Sequence, residues 1–128
     1  MNKKFSTAWK SSKRPRKQHK YLENAPLHLR RKFVSAHLAE SLITKYKVKT
    51  LPVRKGDSVK VMRGQFKKLT GKVTKVDLKK TRIYIEGIEL QKKDGSKILY
   101  PIHPSKVQIE NLVLDDKKRK ALVEGSTK

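Results

Sequence analysis

Turn signals break the middle of this chain at short intervals, and short strands are what such spacing allows. Between residues 51 and 112 the signals are "RKGD", "RGQF", "LTGK", "EGIE" and "KKDGSK". The segments between them alternate. "DSVKVM" places Val59 and Val61 on one face and Lys60 on the other, "TRIYIEG" turns Ile83 and Ile85 inward, and "KILYPI" does the same with Ile98 and Tyr100. Short alternating segments with frequent turns predict a small β-barrel. Val73 and Val76 have opposite parity, so a regular strand would send them to opposite faces; a bulge or sharp bend is expected there. Pro101 and Pro104 should end the last long strand or place it at an edge.

The flanks differ. Residues 25–48 read as a helical segment. Pro26 suits a first helical turn, and Val34, Leu38, Leu42 and Tyr46 recur every fourth residue as one apolar stripe, with Ala39 and Ile43 beside it. Ser35 offers a cap for a second helix, so a break there is an alternative. Residues 1–24 carry Lys3, Lys4, Lys10, Lys13, Arg14, Arg16, Lys17 and Lys20 with no acid before Glu23. Such a segment buries too little apolar surface to offset its ordering, so a basic extended tail is expected, with Pro15 against a helix. Phe5, Trp9 and Tyr21 stand out in it, either by chance or as side chains that stack on bases. Residues 115–128 read as a short C-terminal helix and tail. Asp115 and Asp116 sit at its positive end, "KKRK" follows, and Gly125 stops it. The remaining span, 49–114, is the barrel.

Charge then narrows the partners. The 128 residues include 34 Lys and Arg against 11 acids, a formal charge of +23. Self-repulsion of that size disfavours the compact state unless a polyanion neutralises it. No cysteine is present, which excludes disulfides and thiolate metal sites. The first twenty residues have no apolar core of a secretory signal, and "KRPRK" lacks the amphipathic spacing of a mitochondrial leader. No run approaches the roughly 18 apolar residues of a membrane span. A soluble, intracellular partner of a polyanion is expected, with no membrane and no small-molecule substrate.

The stretch "VRKGDSVKVMRGQFKKLTGKVTKVD" carries the chemistry. Gly64 and Gly71 bracket its turn region, positions that call for positive φ or a close approach of backbone. A phosphate can come near main-chain N–H groups there, and Lys60, Arg63, Lys67, Lys68 and Lys72 supply charge-assisted contacts to it. Phe66 at the tip is a candidate for base stacking, as is Trp9 in the tail. Arg54 and Lys55 in the preceding turn extend the patch. Arg30, Arg31 and Lys32 lie toward the positive end of a helix dipole, a conflict that an external anion would remove. With Lys13, Arg14, Arg16, Lys17 and Lys20 of the tail, these residues form the candidate nucleic-acid-binding set.

The hairpin is similar to the KOW motif of ribosomal proteins and transcription elongation factors. "KQHKYLENAPLHLRRKFVSAHLAESLITKYKVKTLPVRKGDSVKVMRG", "IYIEGI", "DGSKILYPIHPSKVQIENL" and "DDKKRKAL" resemble the archaeal and eukaryotic form of the large-subunit ribosomal protein family numbered twenty-four in the universal scheme. The likeness runs from about Arg14 to Leu122, and "LPVRKGD" and "IHPSKV" are its specific blocks. It implies a mostly β fold, a small SH3-like (KOW) barrel with an N-terminal helical segment and basic extended tails. It further implies binding to large-subunit ribosomal RNA beside neighbouring ribosomal proteins, in the cytoplasm, with a role in nucleating assembly near the mouth of the polypeptide exit tunnel. One departure stands out: the family usually has glycine where this chain has Lys68. The turn must then bend at Gly64 and Gly71 alone, or hold Lys68 in a strained conformation.

Catalysis and cofactors find no support. His19, His28, His37 and His103 lack metal-ligand spacing, and His37 reads as packed or solvent-facing on its helix. Glu86, Glu89 and Asp94 are near one another in sequence and read as neutralising nearby lysines. "GQFKKLTGK" lacks P-loop spacing. Two other functions have the same ingredients. A KOW module of a transcription elongation factor would accompany an additional α/β domain, for which 128 residues leave no room. A small chromatin-like DNA binder would share the barrel, but a helix and two basic tails suit folded RNA better than a duplex.

Overall fold

A computed structural model describes residues 5–125; Lys3 and Lys4 lie outside the described residues. A 3-10 turn, η1 (Thr7–Ser11), leads to α1 (Pro15–Asn24), α2 (Leu27–Phe33), β1 (Ser35–Leu38) and α3 (Glu40–Tyr46). Strands β2 (Thr50–Pro52), β3 (Ser58–Val61), β4 (Thr70–Asp77), β5 (Arg82–Ile85), β6 (Glu89–Gln91) and β7 (Lys97–Leu99) follow. A second 3-10 turn, η2 (Pro104–Lys106), then β8 (Val107–Asn111) and α4 (Lys117–Glu124) complete the chain.

The fold mixes helix and strand around a six-stranded sheet of order β2-β1-β8-β3-β4-β5, with β6 and β7 as a separate hairpin. Pairing is antiparallel except between β1 and β8. Alternation fills the core: Val59, Val61, Ile83, Ile85, Val107 and Ile109 are all buried. The ladder slips between Val73 and Lys75, so that Val73 pairs with Ile85 and Val76 with Ile83. This is the expected bulge, and it restores Val76 to the face of Val73.

The sheet is not a closed barrel. Its far edge, β5, meets the segment before β8 through one bridge, in which Ile83 and Ile102 exchange N–H···O bonds of 2.9 Å. Pro104 offers no N–H for the next rung and the Tyr100 N–H is given to the Ile88 carbonyl at 3.2 Å, so this seam does not extend into a ladder. Pro101 and Pro104 do end β7, yet β8 follows them and lies centrally between β1 and β3. Ile98 is not a core residue. It faces Leu90 across the β6–β7 hairpin and is 43% exposed, whereas Tyr100 packs against the core.

The single helical segment expected over 25–48 is in fact α2, β1 and α3. The fourth-residue stripe is shared between elements: Val34 and Leu38 flank or belong to β1, while Leu42 and Tyr46 belong to α3. Val34, Ala36 and Leu38 also repeat every second residue, and all three are buried. Pairing with β2 and β8 favours that reading, because it satisfies the backbone on both sides of β1. The sheet therefore starts at residue 35 and not at 49.

The extended N-terminal tail is likewise corrected, since residues 15–24 are helical. Pro15 occupies the first helical position, where a missing N–H costs nothing. The Gln18 side-chain amide donates to the carbonyls of Lys10 and Ser12 at 2.9 and 2.7 Å, tying η1 to α1. Tyr21 is buried, with ring centroids 5.3 Å from Phe5 and 5.6 Å from Phe33. A small aromatic cluster thus supplies the apolar burial that the segment's composition conceals.

At the other end, Asp116 caps α4 by accepting from the Lys118 N–H at 3.1 Å. Arg119 points inward from this helix. Its Nη1 and Nη2 donate to Asp57 Oδ1 and Oδ2 at 2.7 and 2.6 Å. The same guanidinium reaches the carbonyls of Val113 and Pro52, while Asp57 accepts from the N–H groups of Arg54 and Val113. At 0% and 5% exposure, the two form a buried clamp in which each carboxylate oxygen and each terminal guanidinium nitrogen makes two bonds.

Candidate nucleic-acid interface

The β3–β4 hairpin is pinned by its register, Ser58 opposite Lys72, Val59 opposite Gly71 and Lys60 opposite Thr70. Val59 and Val61 face the core, so Lys60 and Lys72 share the outer face. Beyond the strands, Lys68 N–H donates to the Val61 carbonyl and Val61 N–H to that of Leu69, both at 2.8 Å. A second turn is closed by Lys67 N–H on the Gly64 carbonyl at 3.2 Å. Arg63, Lys67, Lys68 and Lys72 are all exposed around it, and Lys60 is half-buried.

The two glycines do different things. Gly64 has φ +95° and nothing within 4 Å of an added Cβ, so backbone conformation alone calls for glycine. Gly71 is not in the left-handed region. An added Cβ there would lie 2.5 Å from the Glu86 carbonyl oxygen and 2.8 Å from Ile85 Cγ2, so the requirement is close approach of β5. Lys68 itself has φ +74°, the strained one of the two alternatives expected for this turn.

Two predictions arise here. Lys68→Gly should stabilise the fold by about 0.5–1 kcal/mol, the strain relieved less the extra freedom of the unfolded chain. A lower melting temperature would contradict it. Gly71→Val should cost about 1–3 kcal/mol by forcing β5 off β4. Lys67→Ala with Lys72→Ala should stay within about 0.5 kcal/mol in chemical denaturation while weakening polyanion binding. Stability reduced by the lysine changes and kept with valine would refute this division.

A second basic surface lies on the N-terminal helices. Lys13, Arg14, Arg16, Lys17 and Lys20 are exposed on or just before α1, and Arg31 and Lys32 are exposed on α2; with Arg30 these two lie in the last turn of this short helix, the end of the dipole that favours cations, so the conflict expected from the sequence is absent. Arg30 is used otherwise. Half-buried, it donates to the carbonyls of Glu23, Ala25 and Lys79 and so clamps the α1–α2 turn against the β4–β5 turn. Arg54 pairs with Asp116 at 3.2 Å, with both side chains well exposed, and neighbouring Lys55 is exposed.

Several acids are committed to the fold. Asp57 holds Arg119, Asp116 caps α4, and Asp77 accepts from the Lys79 and Lys80 N–H groups at 3.0 and 3.1 Å. Asp94 accepts from the Ser96 hydroxyl and N–H, bonds that hold its carboxyl below the usual range. The hairpin cations are thereby left without carboxylate partners among the described residues.

Both stacking candidates are partly covered. Phe66 is half-buried and packs on Tyr100 with ring centroids 5.0 Å apart. Trp9 is half-exposed, and Lys20 Nζ sits 5.9 Å from its ring centroid. His37 lies on β1 and not on a helix, exposed to solvent. His103 Nδ1 accepts from the Ser105 N–H at 3.2 Å. Its partial burial, with Arg82 and Lys106 nearby, pushes the imidazole pKa below the ordinary value. Among the described residues no three His, Asp or Glu side chains converge to hold a metal, and no helix is long and apolar enough to cross a membrane.

With this geometry in view, a family model that describes the ribosomal proteins called L26 in eukaryotes, together with their archaeal L24 counterparts, matches residues 12–126.

Proposed function

The chain belongs to the large-subunit ribosomal protein family of eukaryotic L26 and its archaeal L24 counterparts, and from that premise we propose that it binds ribosomal RNA through the β3–β4 hairpin and the α1–α2 surface. The observation that carries this reading is the hairpin: Arg63, Lys67, Lys68 and Lys72 surround an exposed glycine turn with no carboxylate to neutralise them among the described residues. Cations placed this way contact phosphates and set register on a helical backbone without reading bases. We read the coiled sheet as an SH3-like (KOW) barrel left open at the Ile83–Ile102 seam. Its role is structural: it holds the hairpin rigid, anchors the N-terminal helices at the β4–β5 turn, and leaves the basic faces to the RNA.

Neutralisation by RNA also answers the charge. At +23 the free protein works against its own compaction, and phosphates remove that repulsion. A protein that gains so much from RNA suits an early place in assembly of the large subunit, near the mouth of the exit tunnel among neighbouring ribosomal proteins in the cytoplasm. Crosslinking in cells, followed by sequencing of the captured RNA, tests the reading. Recovery concentrated in a few segments of large-subunit ribosomal RNA is expected. Recovery of DNA or of messenger RNA without ribosomal enrichment would overturn it.

A further inference from the structure

Beside the hairpin lies a cavity of about 320 Å³, at the small end of the range for ligand sites. Its walls come from three separate places in the chain: the hairpin tip, the first residue of β5, and the segment from Tyr100 to Lys106. They are tied to one another. Met62 N–H donates to the Lys106 carbonyl at 2.8 Å, and Ile83 and Ile102 exchange their two bonds just beneath. The cavity is therefore preformed and does not depend on a loose loop.

Its lining is unusual for a structural crevice. Arg63, Arg82 and Lys106 converge on it and no carboxylate does, while Phe66 and Tyr100 supply adjoining ring surfaces. His103 adds a directional group. Ser105 engages its Nδ1 through the N–H at 3.2 Å and the hydroxyl at 2.8 Å, which fixes the ring in the cavity wall. Partial burial and the nearby cations Arg82 and Lys106 lower its pKa.

Resting on the RNA-binding reading above, we propose that this cavity takes one unpaired nucleotide of the RNA, its base against Phe66 and Tyr100 and its phosphate among Arg63, Arg82 and Lys106. Single-stranded bases are recognised by stacking on aromatic rings combined with cations along the backbone, and that pair of features is what the lining provides. An acidic peptide would use the cations but leave the rings without a planar partner. The site would make the protein sensitive to one bulged or looped position, whereas the rest of the basic surface reads only phosphate.

Nuclear magnetic resonance on the full chain tests this, with adenosine 5′-monophosphate, pentaadenylate, inorganic phosphate, tetraglutamate and a short RNA duplex as probes. Expected are shifts at Phe66, Tyr100, Ile102 and His103 with the mononucleotide, and the same shifts at about tenfold lower concentration with pentaadenylate. Gln65→Glu places a carboxylate at the exposed rim and should weaken pentaadenylate binding about tenfold, through repulsion of the phosphate. Equal shifts with phosphate or tetraglutamate would overturn the proposal, as would a mononucleotide that binds no more weakly than pentaadenylate, which would mark a free-nucleotide site. If the duplex shifts the hairpin lysines while both adenylates leave the cavity unmoved, the nucleotide site is wrong and the RNA-binding reading survives. If none of the RNA probes binds, the reading itself fails.

Discussion

Arg119→Ala should cost about 3–5 kcal/mol of folding stability, and Asp57→Ala a similar amount, because each leaves a buried charge without its partner. The clamp has little redundancy. Both carboxylate oxygens and both terminal guanidinium nitrogens are engaged, and each group also bonds backbone at Pro52, Arg54 or Val113. Arg119→Lys should recover only part of the stability, since an ammonium cannot match the two-oxygen fork. Lys120→Ala, an exposed neighbour on the same helix, is the control and should change stability by less than about 0.5 kcal/mol. Urea unfolding of the set decides the matter. A cost below about 1 kcal/mol for Arg119→Ala would mean that the clamp contributes little, as buried pairs sometimes do relative to water. Because Asp57 stands at the entrance to β3, removing the clamp should also loosen the base of the β3–β4 hairpin.

That clamp was not legible in the sequence. Asp57 reads as a turn residue in "RKGD" and Arg119 as one cation in "KKRK"; only the fold brings residues 62 apart in the chain to 2.6 Å. Arg30 was hidden for the same reason. It looks like its neighbours Arg31 and Lys32, yet it serves backbone carbonyls from two turns. What the sequence did carry was periodicity in the strands. Val59 with Val61 and Ile83 with Ile85 alternate and are buried, and the parity conflict of Val73 and Val76 marked the bulge.

Periodicity failed where two periods coincide. Val34 and Leu38 fit a helical stripe and a strand equally well, and long-range pairing with β8 settled it as a strand. Charge misled at the N-terminus, where Pro15 begins a helix instead of breaking one and Phe5, Tyr21 and Phe33 pack together. At the hairpin the residues were legible but their reasons were mixed. Gly71 is needed for space and not for φ, and a left-handed bend in the turn is held by Lys68.

The largest effect expected of the whole molecule is on salt dependence. Exposed cations on the hairpin, α1 and α2 are enough for about ten phosphate contacts, and each contact releases most of one condensed counterion. Affinity should therefore fall about 10³–10⁵-fold between roughly 50 and 200 mM salt. Lys67→Ala with Lys72→Ala should flatten the slope by about one unit for each phosphate that is no longer touched, with the fold unchanged. A structured DNA duplex at matched salt supplies the comparison, since phosphate density alone would favour it equally.

The most direct measurement is filter binding of the full chain to a folded fragment of large-subunit ribosomal RNA across a salt series, with the logarithm of the association constant plotted against that of salt. A slope of about −7 to −9, at higher affinity than for the duplex, is the predicted result. A slope shallower than about −2, or equal binding to duplex DNA throughout, would contradict the account of a basic hairpin and helical face built to hold folded RNA.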